Sequence, residues 1–138
     1  MAITVGIAGI TGKFARCLVS HLLRRKGVTI RGYCRDPGKF PAAVLSSSPQ
    51  LQITQGGAFD RAAVRSFVRG CDVVVCCYLG DDKRMVDGQK ELIDACEEAN
   101  VPRYIASDWA LDYTKLRFNQ LNFFWYSSQY FISLVVLS

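Results

Sequence analysis

The sequence predicts an α/β protein, an open, doubly wound parallel sheet of five strands in the order 3-2-1-4-5. Three observations predict it. Short β-branched runs alternate with stretches of helical apolar spacing. No two-residue hairpin turn joins any of the strand-like runs, so the crossovers are long enough to return parallel. A glycine cluster also stands where the first strand hands over to the first helix. Right-handed crossovers then place a ligand crevice at the carboxyl ends of strands one and four.

Each element can be justified in turn. Ile3 to Ala8 is short and β-branched, as a buried strand should be. From Lys13 the apolar positions are Phe14, Leu18 and Leu22, flanked by Ala15, Val19 and Leu23, which is helical spacing. Gly27, after Arg24, Arg25 and Lys26, reads as the cap of that helix, with cations that complement its dipole. Val28 to Cys34 is the second strand, "RDPGKFP" breaks the chain, and Ala42 to Leu45 allows a short helix. Leu51 to Gln55 is the third strand, ending at Gly56-Gly57. Asp60 is a good N-cap for a helix with Ala63, Val64, Phe67 and Val68 on one face, closed by Gly70. Asp72 to Tyr78 is a fourth strand, apolar throughout and therefore central. A helix from Arg84 to Ala99 follows, with Val86, Leu92, Ile93 and Cys96 inward and Asn100 and Pro102 as its stop. Arg103 to Ser107 is the fifth strand.

The 138 residues suffice for one core and are too few for two ordinary domains. A net charge of +5 is scattered apart from Arg24-Arg25-Lys26, so no nucleic-acid stripe is indicated. The same excess suits a pocket for a small anion. Cys17, Cys34, Cys71, Cys76, Cys77 and Cys96 sit mostly among apolar neighbours, where a free thiol packs as a small hydrophobe. There is no CxxC pair and only one histidine, which argues against a metal site. With no signal-peptide pattern, the expected setting is reducing and cytoplasmic, the nucleus being the alternative.

Gly9-Ile10-Thr11-Gly12-Lys13-Phe14-Ala15 occupies the strand-one to helix-one turn. Glycine there allows positive φ and close backbone approach, and the helix's unpaired amides then meet a phosphate. The spacing is G-x-x-G-x-x-A, with Ala15 small enough for close helix–strand packing. Gly6, inside the strand, is read as packing alone. In its parallel α/β context the motif predicts a dinucleotide. At the tip of strand two an NAD site usually carries an acid for the ribose hydroxyls. Here Tyr33 and Cys34 stand at that position and Arg35 follows, with Lys39 beyond. Arginine can fork onto a 2′-phosphate, so NADP(H) is expected ahead of NAD(H). The alternative for Arg35 is an ion pair with Asp36 at a solvated turn.

"GITGKFA", "YCRDPGKF", "QGGAFD", "GCDVVVCCYLG" and "VPRYIASDWA" together resemble the amino-terminal half of an NmrA-like, isoflavone-reductase-like protein, one of the atypical short-chain dehydrogenases/reductases. The resemblance runs from Ile3 to Tyr113. It implies a Rossmann-like domain with NADP(H) along the carboxyl edge of the sheet. The phosphates would lie at Gly9, Thr11, Gly12, Lys13 and Phe14, and the adenosine 2′-phosphate at Arg35 and Lys39. Cys77, Tyr78 and Leu79 would pass the nicotinamide side. Two departures stand out. Many relatives bring an aspartate to the adenine where this chain has Gly57. Hydride-transferring relatives also need a proton-transfer group, often a lysine or a Tyr-x-x-x-Lys pair, whose cation lowers the tyrosine pKa from near 10. Here Lys115 follows Tyr113 at i+2, and Asp108 stands where Tyr104 would need a cation. Ser107, at the end of strand five, is the remaining catalytic candidate.

The expected division is a nucleotide-binding domain over residues 1–117 and an uncharged, aromatic tail over 118–138. Aromatics make up a third of that tail, against 12% of the chain, yet Asn119, Gln120, Asn122, Ser127, Ser128 and Gln129 argue against a membrane span. The family pattern fades after Leu116, which suggests a truncated or misjoined frame; a strand over 131–137 beside strand five is the alternative. Three functional readings follow: an NADP(H)-binding domain of oxidoreductase ancestry with doubtful activity, a non-catalytic NADP(H) sensor, or an inactive fragment.

Overall fold

The computed structural model describes residues 2–81 and 83–107. Its five strands are β1 (Ile3–Ala8), β2 (Val28–Cys34), β3 (Leu51–Gln55), β4 (Val73–Cys76) and β5 (Arg103–Ile105), all parallel, in the order β3-β2-β1-β4-β5. The helices are α1 (Lys13–Leu22), α2 (Ala42–Ser47), α3 (Arg61–Val68) and α4 (Gln89–Glu98). The predicted class and strand order are those observed. Val5 pairs with Ile30 on one side and Val73 on the other, so β1 lies at the point where the strand order reverses.

Alternation along the strands builds two cores, because successive side chains point to opposite faces. Val5, Ile7, Ile30 and Val75 pack with Ala15 and Val19 of α1 and with Phe40 before α2. Ala8, Tyr33, Val74 and Cys76 pack with Val64, Phe67 and Val68 of α3 and Leu92, Ala95 and Cys96 of α4. Gly6 belongs to the second face. A Cβ there would lie 3.0 Å from Cys71 Sγ and 3.1 Å from the Phe67 ring, so its use is packing, as predicted.

Several local expectations need correction. α1 ends at Leu22 with Leu23 as its cap, and Arg24 to Lys26 lie beyond the last turn. Gly27 is left-handed, φ 75°, but serves the turn into β2, where its carbonyl accepts from Ile3 N. β4 stops at Cys76 rather than Tyr78. Cys77 N still bonds Ala8 O at 2.8 Å, and the chain then sends Tyr78 into the α3/α4 core. β5 likewise stops at Ile105, two residues short of Ser107. The last helix starts as a π-helical turn, Arg84–Gly88, and its buried positions are Met85, Gly88, Gln89, Leu92, Ala95 and Cys96. Val86 and Ile93, expected inward, are only half-buried.

The caps follow local chemistry. Asp60 Oδ1 accepts from Ala63 N at 3.1 Å, the predicted N-cap of α3. At the end of α4, Asn100 takes φ 53°, with Asn100 N bonded to Glu97 O and Val101 N to Cys96 O. That pair of bonds is a Schellman closure, which asparagine tolerates nearly as well as glycine.

The six cysteines are free; Cys34, Cys71, Cys76 and Cys96 are buried, Cys77 is half-buried and Cys17 is exposed. Among the described residues no cluster could hold a metal ion, and no helix is long and apolar enough to cross a membrane. The pairs Tyr113–Lys115 and Tyr104–Asp108 (at its second member), the boundary between residues 117 and 118, and the strand over 131–137 lie outside the described residues.

Candidate functional site

The carboxyl edge of the sheet carries a cavity of about 130 Å³. Gly9, Thr11 and Gly12 line it from the β1–α1 turn, Tyr33, Cys34 and Arg35 from the tip of β2, and Gly56 and Ala58 from the exit of β3. Cys77, Tyr78 and Leu79 complete it from the exit of β4, together with Arg84. Seven of the sequence-predicted positions therefore meet in one place. Lys13, Phe14 and Lys39 are exposed beside the edge and are not among the lining residues.

The two glycines of the turn work differently. Gly9 has φ 79°, and a Cβ there would lie 2.8 Å from Cys77 O. The turn needs glycine both for its conformation and for its contact with the β4 exit. Tyr33 O accepts from both Gly9 N and Ile10 N, which fixes the turn against β2. Gly12, expected to share the positive φ, instead has an ordinary φ of −67° as the N-cap of α1. A Cβ at Gly12 would touch only Gly9 O, at 3.5 Å. Neither backbone strain nor a neighbouring group demands glycine there. What its absent side chain leaves is open space at a helix N-terminus with no side-chain cap and no acid in its first turn. Ala15 is fully buried against the sheet, the close packing expected of it.

At the tip of β2 the side chains divide by task. Tyr33 is buried, stacks on Phe67 with ring centroids 5.0 Å apart, and donates from Oη to Gly57 O at 2.8 Å. Burial, reinforced by Asp60, holds its phenol up at about 12. Gly56 must be small because its Cβ would lie 2.2 Å from Tyr33 Oη, whereas a Cβ at Gly57 would meet nothing within 4 Å. Arg35 is exposed, and Gln55 Nε2 donates to its carbonyl at 3.0 Å. Asp36, considered as its ion-pair partner, spends Oδ1 on Gly38 N at 3.0 Å to cap the turn Pro37–Lys39.

The exit of β4 is tied to the exit of β5. Ser107 Oγ donates to Tyr78 O at 2.6 Å, and Ser107 N donates to Gln89 Oε1 at 3.2 Å. Gln89, buried in α4, also accepts from Tyr104 Oη and donates from Nε2 to Met85 O at 2.8 Å. Burial raises the Cys77 thiol to about 12 and pushes the Tyr78 phenol higher still. Neither group is an easy proton source near neutrality. Leu79, by contrast, is 77% exposed at the rim.

Sequence reasoning missed Gly56, Ala58 and Arg84 as cavity walls, and missed Gln89 as a buried clamp. Gly56 and Ala58 were legible only as the loop after β3. Arg84 comes from a π-helical turn that apolar periodicity does not reveal.

Comparison with known proteins gives a consistent result. Residues 9–131 match a family model described as NAD(P)H-binding. An isoflavone reductase homolog from Zea mays is 32% identical over 114 residues, covering 80% of this chain and 35% of the maize protein. The chain spans about a third of the length of the curated relatives it matches. Among solved structures, a short-chain dehydrogenase/reductase from Veillonella parvula in complex with NADP superposes with a TM-score of 0.66 at 20% identity, over 77% of this chain and 47% of the other. NmrA, a negative transcriptional regulator, in complex with NAD, gives 0.68 at 19% identity, over 76% and 33%. At such identities the structural likeness speaks for the fold.

Proposed function

The chain belongs to the NAD(P)H-binding family, and from that premise we propose that it is an NmrA-like, isoflavone-reductase-like atypical short-chain dehydrogenase/reductase domain that binds NADP(H) in the cavity at the carboxyl edge of its sheet. In this reading Gly9, Thr11, Gly12, Lys13 and Phe14 receive the pyrophosphate. Arg35 and Lys39 receive the adenosine 2′-phosphate, and Cys77, Tyr78 and Leu79 border the nicotinamide half. The single observation that carries it is Gly12, a glycine that neither φ nor packing requires, at the uncapped start of α1. Space kept open in front of helix amides is what a phosphate needs.

The preference for NADP(H) rests on the tip of β2. Tyr33 and Cys34 are buried and carry no carboxylate, and Asp36 caps the turn with Oδ1 and is not among the cavity walls, so no acid lines the cavity at the tip of β2. Arg35 remains exposed beside the cavity with its guanidinium available for a charge-assisted contact. NADP(H), when bound, supplies hydride chemistry; the chain's own residues bind and orient it. A second reading, a redox sensor, draws support from Ser107. Its hydroxyl is donated to Tyr78 O, which makes it a strut between two loops and not a poised proton donor.

A thermal-shift titration tests the reading, because a ligand that binds only the native state raises the melting point by mass action. NADPH is expected to raise it more than NADH at equal concentration, and Arg35→Ala is expected to remove the difference. Equal shifts in the unaltered chain would overturn the 2′-phosphate assignment, and no shift with either would overturn the site.

A further inference from the structure

Arg84 is the cavity wall that no motif accounts for. It opens the π-helical turn Arg84–Gly88, and its backbone N–H is held by Asp81 Oδ1 at 2.9 Å. Gly80 makes room for its side chain, and Gly88 lies within ordinary contact of its stem. A Cβ at Gly80 would lie 2.8 Å from Arg84 Nη1, and one at Gly88 would lie 3.7 Å from Arg84 Cγ. The guanidinium therefore rests over the loop that leaves β4. Among the described residues it has neither a hydrogen bond nor an ion pair.

Its placement relative to the glycine turn follows from one contact. Gly9 meets the β4 exit at Cys77 O and Tyr78 N, the latter 3.3 Å from a Cβ at Gly9. Gly80, under the Arg84 guanidinium, is only two residues beyond Tyr78 along that loop. Arg35 stands instead at the tip of β2. Two guanidinium groups thus line one small cavity, and no carboxylate is among its described walls. Like charges lining one cavity repel, and an anion between them removes that repulsion.

We infer that Arg84 is a second anion-binding residue of the nucleotide site, set on the pyrophosphate opposite the glycine turn, while Arg35 serves the 2′-phosphate. The inference rests on the nucleotide reading above. A planar guanidinium can fork onto two phosphate oxygens, which a lysine at the same place would not do.

The test uses the full chain with ADP, NADH and NADPH as probes, since only the last carries the 2′-phosphate and all three carry the diphosphate. Arg84→Met keeps the aliphatic stem against Gly88 and removes the charge. It is expected to weaken all three probes by a similar factor, about tenfold or more for a lost charge-assisted contact, whereas Arg35→Ala weakens NADPH alone. Unchanged affinity in Arg84→Met would make the residue packing only and overturn the inference. A loss confined to NADPH would move it to the 2′-phosphate and overturn the placement. Gly80→Ala gives an independent check, because it keeps the charge but pushes Nη1 aside. A smaller loss shared by all three probes is expected there, and wild-type affinity for all three would count against the placement. If the unaltered chain binds none of the probes, the nucleotide reading fails and this inference fails with it.

Discussion

Against α1 and α2 the sheet buries Val5, Ile7, Ile30, Leu51 and Val75, with Cys34 the most polar side chain of the group. Against α3 and α4 it buries two tyrosines and three cysteines among its apolar residues, and Gln89 lies buried on α4 beside them. The first face works as a platform. Its aliphatic atoms ask for nothing but contact, and it fixes the strand tips from below. The second face must satisfy hydroxyls, an amide and thiols. Those groups tie together the loops that leave β3, β4 and β5: Tyr33 holds Gly57, Gln89 holds Ser107, and Ser107 holds Tyr78. The cavity opens where the two faces meet at the carboxyl edge. Both faces bury apolar side chains, and the second also gives the loops their shape.

The largest expected effect breaks the platform. Ile30→Ala removes a fully buried side chain between β1 and β3 and leaves a cavity that rigid neighbours fill only in part. The expected loss is about 2–5 kcal/mol, enough to threaten a domain of this size. Urea unfolding followed by circular dichroism measures it. A loss below about 1 kcal/mol would mean that the aliphatic face relaxes around the missing side chain rather than holding a rigid platform.

Next comes the clamp on the other face. Gln89→Leu matches the volume of the side chain but leaves Tyr104 Oη and Ser107 N without their acceptor, and Met85 O without its donor. Each buried polar group so stranded costs about 1–3 kcal/mol, reduced where water can reach it. Two of the three bonds are only part-buried, where water can replace the lost acceptor. The expected total therefore stays near the cost of one stranded group, about 1–3 kcal/mol, below that for Ile30→Ala. Backbone hydrogen exchange should also speed up at Ser107 more than in β1 or β2. Uniform exchange changes across the sheet would show that Gln89 supports the fold as a whole rather than this loop.

This contrast also explains what could be read in the sequence. The platform was legible almost to the residue: Ile3–Ala8, Val28–Cys34 and Leu51–Gln55 are observed with their expected bounds, because β-branched runs end at glycine or at turn residues. The second face was legible in outline only. Apolar continuity through Cys77 and Tyr78 hid the end of β4, since a buried loop residue and a buried strand residue look alike in a pattern. The π-helical turn moved the inward positions to Met85 and Gln89, away from Val86 and Ile93. Glutamine at a core position gives no hydrophobic signal at all. At the site, Gly9 and Gly12 were found by motif spacing, but their distinct tasks depend on Cys77 O, a partner 68 residues away that only the closed sheet supplies.

The smallest effect has the opposite sign and sharpens the comparison most. Tyr78 is 7% exposed, and its hydroxyl has no hydrogen-bond partner among the described residues. A tyrosine phenol kept from water and left unpaired sacrifices its hydration without a replacement. Burial also pushes its pKa up, so it stays protonated throughout the neutral range and gains nothing from ionisation. Tyr78→Phe deletes that oxygen and retains the ring in the α3/α4 core. Stability is therefore expected to hold or rise by about 1 kcal/mol, a gain of a few degrees in melting temperature for a domain of this size. No such gain is available on the α1/α2 face, where among the described residues no buried side-chain oxygen or nitrogen lacks a partner. A clear loss of stability in Tyr78→Phe would show that the hydroxyl has a partner in the folded chain, and would make this face as fully satisfied as the other.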